Sequence, residues 1–276
     1  MPRLNRDSFQ LEYEERGTAG EPIVLVHDRF GDRHQWDPVA TLLAGSCRVL
    51  SYDRRGHGAS TSPGGSLALA VQVDDLSTLL SVAGRGARHV VGTGVGGVVA
   101  LQLALTHPDQ VRSLHVHEPH LVGMLSTDPS AASSYAEGRG WEQSIVQRLQ
   151  AKDGPGAARA FVDGSSPPEH GWSALSPASQ AAFASNAPVS LRESLDPTLE
   201  TMDIAPFGDY RDPVLVTGGS ASPAVFGAIN DRLAEAFFKP LRYAYDGSGH
   251  FPHLTHPELT ARVITDFCRY ASSRST

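Results

Sequence analysis

Cysteine is scarce in this chain: Cys47 and Cys268 are the two among 276 residues. Two thiols allow one bridge at most and exclude a disulfide-stapled scaffold. At a strand start and in the last helix, both read as packing residues. No run of about 18 apolar residues occurs, which excludes a membrane-spanning helix. Positive charge is in deficit, with 23 Lys and Arg against 30 Asp and Glu and a net charge of −7. A nucleic-acid partner would want a basic stripe, and anionic membranes are disfavoured for the same reason. The start, MPRLNRDSFQLEYEERG, lacks the apolar core of a secretory signal, so a cytoplasmic location is the default expectation. No internal repeat is present, and the histidines fit no zinc spacing.

What remains is an ordinary globule of 40% hydrophobic and 19% charged residues, long enough for one large domain with a small insertion. Strand-like runs alternate with helical patterns, which reads as a mostly parallel α/β sheet with helices on both faces. The strands are expected at Phe9–Glu15, Pro22–His27, Cys47–Asp53, Arg88–Val91, Val111–His117, Pro213–Thr217 and Leu241–Tyr245. Helical spacing marks Leu67–Leu80, Gly96–Leu105 and Leu259–Tyr270. From about His120 to Asp212 the rhythm breaks. Helical patches at Trp141–Ala151, Ala157–Val162, Pro177–Ala184 and Val189–Leu195 are punctuated by Pro and Gly. This reads as a helical cap over the carboxyl ends of the strands, where ligands bind in such sheets. The expected division is a core of residues 1–119 and 213–276 with a cap or lid of residues 120–212.

Four segments carry chemistry. RHVVGTGVGGVVAL, residues 88–101, is a strand, a Gly-rich turn and a helix. His27-Asp28-Arg29-Phe30-Gly31 follows a strand. Asp53-Arg54-Arg55-Gly56-His57-Gly58-Ala59-Ser60 is a polar turn. Gly247-Ser248-Gly249-His250-Phe251-Pro252 lies between the last strand and the last helix. In this order and spacing they resemble the α/β-hydrolase superfamily, in particular its capped members, over about residues 8–272. The resemblance implies an eight-stranded, mostly parallel sheet flanked by helices, with a helical cap insertion. It aligns the first segment with the nucleophile elbow G-x-S-x-G, the second with the H-G-x-x-G oxyanion loop, the third with D-x-R-G-x-G-x-S, and the fourth with the loop bearing the catalytic histidine.

The resemblance implies that His250 is the catalytic histidine, able to take and give a proton near neutrality. The usual place for its orienting carboxylate, Thr217–Pro223, holds no acid. Some family members carry it one strand earlier, which here is Glu118; Asp246 is a weaker alternative. Glycine stands in the nucleophile slot at Gly94 and cannot attack anything. Thr93 is a poor surrogate because an elbow exposes one residue. The N–H of Val95, at a helix start, remains able to bind negative charge. Asp28 replaces the second glycine of H-G. With Arg29 it stands at the oxyanion position, where it either pairs with a neighbouring arginine or faces the cavity as an acid, base or hydrogen-bonding group. Trp141, Trp172, Phe161 and Phe183 either line a pocket or form the cap's own core. His27, His34, His57, His117, His120 and His253 read as ordering or filling residues, and Asp53, Arg54 and Gly56 as a structural turn near the sheet edge.

Fold alone selects no reaction. The expectation is an enzyme without a covalent nucleophile. A His250–Glu118 dyad would perform elimination, isomerisation, cyclisation or water-activated hydrolysis on a small, largely apolar molecule, in keeping with specialised metabolism. No metal, nucleotide or flavin is implied, and the oligomeric state stays open. Two alternatives stand beside it: a non-catalytic small-molecule receptor, and a serine hydrolase inactivated by glycine at position 94.

Overall fold

Burial on both faces makes β-branched runs such as PIVLV and RHVV the central strands of the sheet. The computed structural model describes residues 2–6, 9–61, 64–84 and 86–274. Among these, eight strands form one sheet: β1 (Arg3–Arg6), β2 (Phe9–Arg16), β3 (Glu21–Val26), β4 (Cys47–Tyr52), β5 (Arg88–Thr93), β6 (Val111–His117), β7 (Val214–Gly219) and β8 (Leu241–Tyr245). Their order is β1-β2-β4-β3-β5-β6-β7-β8. The β1–β2 and β2–β4 pairs are antiparallel and the other pairs parallel.

The helices are α1 (Asp37–Leu43), α2 (Leu69–Ala83), α3 (Gly94–Thr106), α4 (Ala132–Gln150), α5 (Gly154–Ser165), α6 (Pro177–Ser185), α7 (Ala187–Ser194), α8 (Ala224–Ala236), α9 (Pro252–Thr255) and α10 (Pro257–Ser272). One face of the sheet packs on α2, α3 and α8 and the other on α1 and α10, giving two apolar clusters. Helix α3 is almost wholly apolar from Gly94 to Leu101 because it is buried all round there. In α10 the buried residues Ala261, Ile264, Cys268 and Ala271 recur at helical spacing, so one stripe faces the sheet. Cys47 and Cys268 are free thiols in this second cluster. No helix among the described residues is long and apolar enough to cross a membrane.

Between β6 and β7 the chain runs through α4, α5, α6 and α7, which share a third apolar cluster built on Phe161, Phe183, Ile145 and Leu149. Phe30 and Phe251 from the sheet-end loops belong to the same cluster. Two buried ion pairs fasten these helices to those loops: Arg29 with Glu142 of α4, both Oε atoms at 3.1 Å, and Arg54 with Glu193 of α7. Asn186 Nδ2 donates to the carbonyl of Gly31 (2.9 Å), and Ser190 Oγ to that of Arg29 (3.1 Å).

Several elements differ from the sequence expectation, and the short helices α1 and α9 were not among those expected. β1 is too short and too polar to have read as a strand. α8 was not anticipated, although Val225, Phe226, Ile229 and Leu233 are buried at helical spacing. α4 begins nine residues before Trp141, because Gly138 and Gly140 weaken the helical signal of its first half. The Asp53 turn also departs from expectation. It follows β4, which lies inside the sheet between β2 and β3, and its Arg54 reaches across to α7.

Candidate active site

The strand β5 ends at Thr93 and α3 starts at Gly94 without a spacer, so the chain must reverse sharply there. Gly94 takes φ +52°, a left-handed conformation that suits glycine. Two residues on, Gly96 lets the loop after β3 close onto the helix: a Cβ at Gly96 would lie 2.4 Å from the carbonyl oxygens of Val26 and His27. That approach sets Asp28 against the first turn of α3. Asp28 Oδ1 accepts the backbone N–H of Val95 at 2.7 Å. A Cβ at Gly94 would sit 1.9 Å from the same oxygen, so the volume of a side chain at position 94 is filled by the carboxylate of Asp28.

The second Asp28 oxygen meets His250. Nε2 of His250 lies 3.0 Å from Asp28 Oδ2, and Nδ1 lies 2.7 Å from Glu118 Oε2. Glu118 follows β6 with φ +43°, a costly conformation for a side-chain-bearing residue. Its other oxygen accepts the N–H of Gly219 at 2.7 Å, across the end of β7. The loop of His250 is pinned by its own N–H to the carbonyl of Ser165 at the end of α5 (3.0 Å). Its ring stacks on Phe226 at 4.7 Å, with Phe251 and Phe161 edge-on at 5.0 and 6.0 Å. Asp28, Glu118 and His250 are each 1% exposed or less.

The protonation of this triad follows from its geometry. Burial pushes the imidazole of His250 down, but hydrogen bonds to Asp28 and Glu118, and their charges, outweigh it and raise the ring to about 9. Burial likewise opposes the charge on Asp28. Its hydrogen bond to His250, and the charge there, hold the carboxyl below its ordinary value all the same. Glu118 is also lowered, against burial, by His117 and His250. At neutral pH the centre is an imidazolium between two carboxylates. Asp28→Asn is therefore expected to lower the His250 pKa by about one unit or more. Titration of the imidazole signals by NMR checks this, and an unchanged midpoint would contradict the assignment.

The other residues singled out in the sequence fall into two groups. Val95 joins the triad through its N–H. Trp141 stacks on Phe161 at 5.5 Å and meets Phe226 edge-on at 6.0 Å, one ring away from His250. Arg29 pairs with Glu142, so the arginine pairing considered for Asp28 is not made by its neighbour. Thr93 is buried with its hydroxyl unpartnered. Trp172 packs at the border of the third cluster. Asp246 bonds Ser220 on the surface (3.2 Å) and leaves His250 to Glu118. The ligand atoms of His117, Glu118 and His250 lie within 4.8 Å of one another, yet a cation there would displace the proton shared by His250 and Glu118. Burial holds His117 down at about 4, so it is neutral.

A family model described as the alpha/beta hydrolase family matches residues 23–263. The chain belongs to the α/β-hydrolase family. Along nearly its whole length it is 23% identical to the 2-(acetamidomethylene)succinate hydrolase of Mesorhizobium japonicum, over 96% of this chain and 94% of that protein. It is 34% identical to the putative carbamate hydrolase RutD of Azorhizobium caulinodans over 42% of this chain and 43% of that protein. The chain spans less than half the length of several curated relatives that it matches in this way. Among solved structures, the enol-lactonase of Burkholderia xenovorans superposes with a TM-score of 0.77 at 19% identity, covering 97% of this chain and all of that one. A thermophilic esterase of Thermogutta terrifontis superposes at 0.78 and 20% identity, covering 98% and 99%. These likenesses fix the α/β-hydrolase fold; the chemistry has to be read from the site.

A cleft of about 370 Å³ runs between α6 and the loop after β3. Gln35, Phe183 and Leu254 are in its wall. Gln35 Oε1 accepts the N–H of Asp28 at 3.1 Å, and Phe183 packs on Phe251, at 5.7 Å between rings. The cleft thus ends one side-chain layer from the triad.

Proposed function

We propose that this α/β-hydrolase is an enzyme without a covalent nucleophile, in which His250, oriented by Glu118, carries protons to and from a small, largely apolar organic substrate. Gly94 occupies the nucleophile position, and the helices of residues 120–212 form the cap. The observation that carries this reading is the place of Asp28: a carboxylate bonded to both Val95 N–H and His250 fills the room where a nucleophile's side chain would stand. Acyl transfer through a serine has neither its attacking atom nor a free oxyanion site in this arrangement. General acid–base chemistry keeps everything it needs, and no cofactor is called for. The aromatic shell of Phe161, Phe226, Phe251 and Trp141 supports an apolar substrate, and the cleft beside Gln35 is its route under the cap.

His250→Gln is the test, with His250→Ala beside it. Each is expected to cut turnover of a true substrate by about 10²–10⁴-fold, the usual worth of a positioned acid–base group, while ligand affinity changes little. Progress curves and calorimetry on the same protein separate the two quantities. A second reading, a ligand receptor, draws on the complete burial of the triad. Under it, the substitutions barely change ligand affinity and there is no turnover to lose.

A further inference from the structure

His250 has two carboxylate partners, and the second one divides the proton work. We infer that Asp28 is the proton acceptor and His250 the proton donor of a syn elimination of water, and that the substrate class is a β-hydroxy ketone or a related β-hydroxy carbonyl compound. The inference rests on the acid–base reading above and adds to it the roles, the stereochemistry and the substrate class.

Asp28 Oδ2 and His250 Nε2 stand 3.0 Å apart. In a β-hydroxy carbonyl compound with its Cα–H and Cβ–OH bonds eclipsed, the departing hydrogen and hydroxyl lie on one face at a comparable separation. A base and an acid this close address both groups at once. In an anti elimination the two groups leave from opposite faces, beyond the reach of such a pair. Oδ1 is tied to Val95 N–H, which leaves Oδ2 as the reactive oxygen. Glu118 holds Nδ1, which aims Nε2–H at the reacting face. Asp28 is ionised and His250 charged at neutral pH, so the acceptor is empty and the donor loaded before the substrate enters.

The step balances without a co-reactant. The Cα–H bond, acidified by the carbonyl, breaks and its proton goes to Asp28 Oδ2. The electron pair left behind forms the C=C bond. The Cβ–O bond breaks, and the oxygen leaves as water with the proton of His250 Nε2. The Asp28 carboxylic acid then returns its proton to the neutral imidazole across the same gap, which resets the site. Burial of all three groups suits such an internal return.

The probes are 4-hydroxypentan-2-one and 3-hydroxy-1,3-diphenylpropan-1-one, each bearing one deuterium at the carbon between carbonyl and carbinol, in either configuration. The full chain is expected to form the enone from at least one probe. Mass spectrometry of the enone should show deuterium lost from the diastereomer that presents it syn to the hydroxyl and kept in the other. Asp28→Asn and His250→Gln should each slow the reaction by about 10²-fold or more, with circular dichroism confirming that both variants fold. An anti pattern of loss, full activity in Asp28→Asn, or no enone from either probe overturns the inference. Exchange of the α-hydrogen with D2O by the wild-type chain separates the two failures. Exchange without enone sinks the elimination and leaves the acid–base reading standing, whereas neither exchange nor enone removes both.

Discussion

Serine introduced alone at position 94 is expected to gain no reactivity toward a serine-directed organophosphonate, whereas Gly94→Ser combined with Asp28→Gly is expected to be labelled. The reason is volume and electrostatics together. A Cβ at position 94 would lie 1.9 Å from Oδ1, 2.1 Å from Cγ and 2.5 Å from Oδ2 of Asp28, so the single variant must expel a carboxylate that is bonded to Val95 N–H and to a charged imidazole. The backbone at φ +52° adds strain of roughly 1–2 kcal/mol for any residue with a Cβ. Removing the Asp28 side chain frees the N–H of Val95, returns His250 Nε2 to the new hydroxyl and clears the space. Intact-mass analysis after labelling reads the outcome. Labelling of Gly94→Ser alone would mean that Asp28 moves aside readily, and the chain would then behave as a serine hydrolase that lost one atom group. Labelling of the double variant only would mean that positions 28 and 94 are alternative occupants of one site.

Position 28 also shows where the sequence runs out. The replacement of glycine by aspartate after His27 was visible, and so was the choice it posed between an arginine partner and the cavity. What decided it, the backbone approach permitted by Gly96, is a three-dimensional contact between β3 and α3 that no local pattern encodes. Glu118 was legible through the family resemblance, some members carrying the acid one strand earlier, and because it closes an apolar strand; its left-handed backbone was not. Phe226 was missed altogether. It lies on α8, whose apolar residues after Pro223 recur at helical spacing but were not read as a helix, yet it supplies the flat face on which His250 stacks. Seven of the eight strands could be read from apolar runs, since burial dictates composition there. The charged Arg3–Arg6 edge could not, because its pairing depends on β2 and hardly on its own residues.

Glu193→Ala is expected to cost about 3–5 kcal/mol of stability, the loss that follows when one partner of a buried pair is removed and the other left charged. Glu193 and Arg54 are each 1% exposed or less. Burial opposes the charge of Glu193, but Arg54 and His57 hold its carboxyl well below the ordinary range. Arg54 has other duties, donating to the carbonyls of His27 (3.0 Å) and Asp28 (3.2 Å), so an apolar pair at 54 and 193 should recover only part of the loss. The same logic fixes the pH profile. A carboxyl lowered by folding stabilises above its unfolded pKa of about 4.3, and this contribution disappears as pH falls through the folded value. His250 is the reverse case. Its raised pKa contributes fully below 6.5 and is lost as pH climbs through about 9, a term on the order of 3 kcal/mol. Buried His115 and His117, held by burial at about 3 and about 4, take stability away as pH falls below 6.5, because only the unfolded chain then binds their protons. Urea melts across this range should therefore show highest stability near pH 6.5, falling on both sides. In Glu193→Ala the acid limb should be shallower and the alkaline limb unchanged; in His250→Gln the alkaline limb should flatten. An alkaline limb that survives His250→Gln would place the charge of the triad elsewhere, and with it the donor on which the proposed chemistry depends.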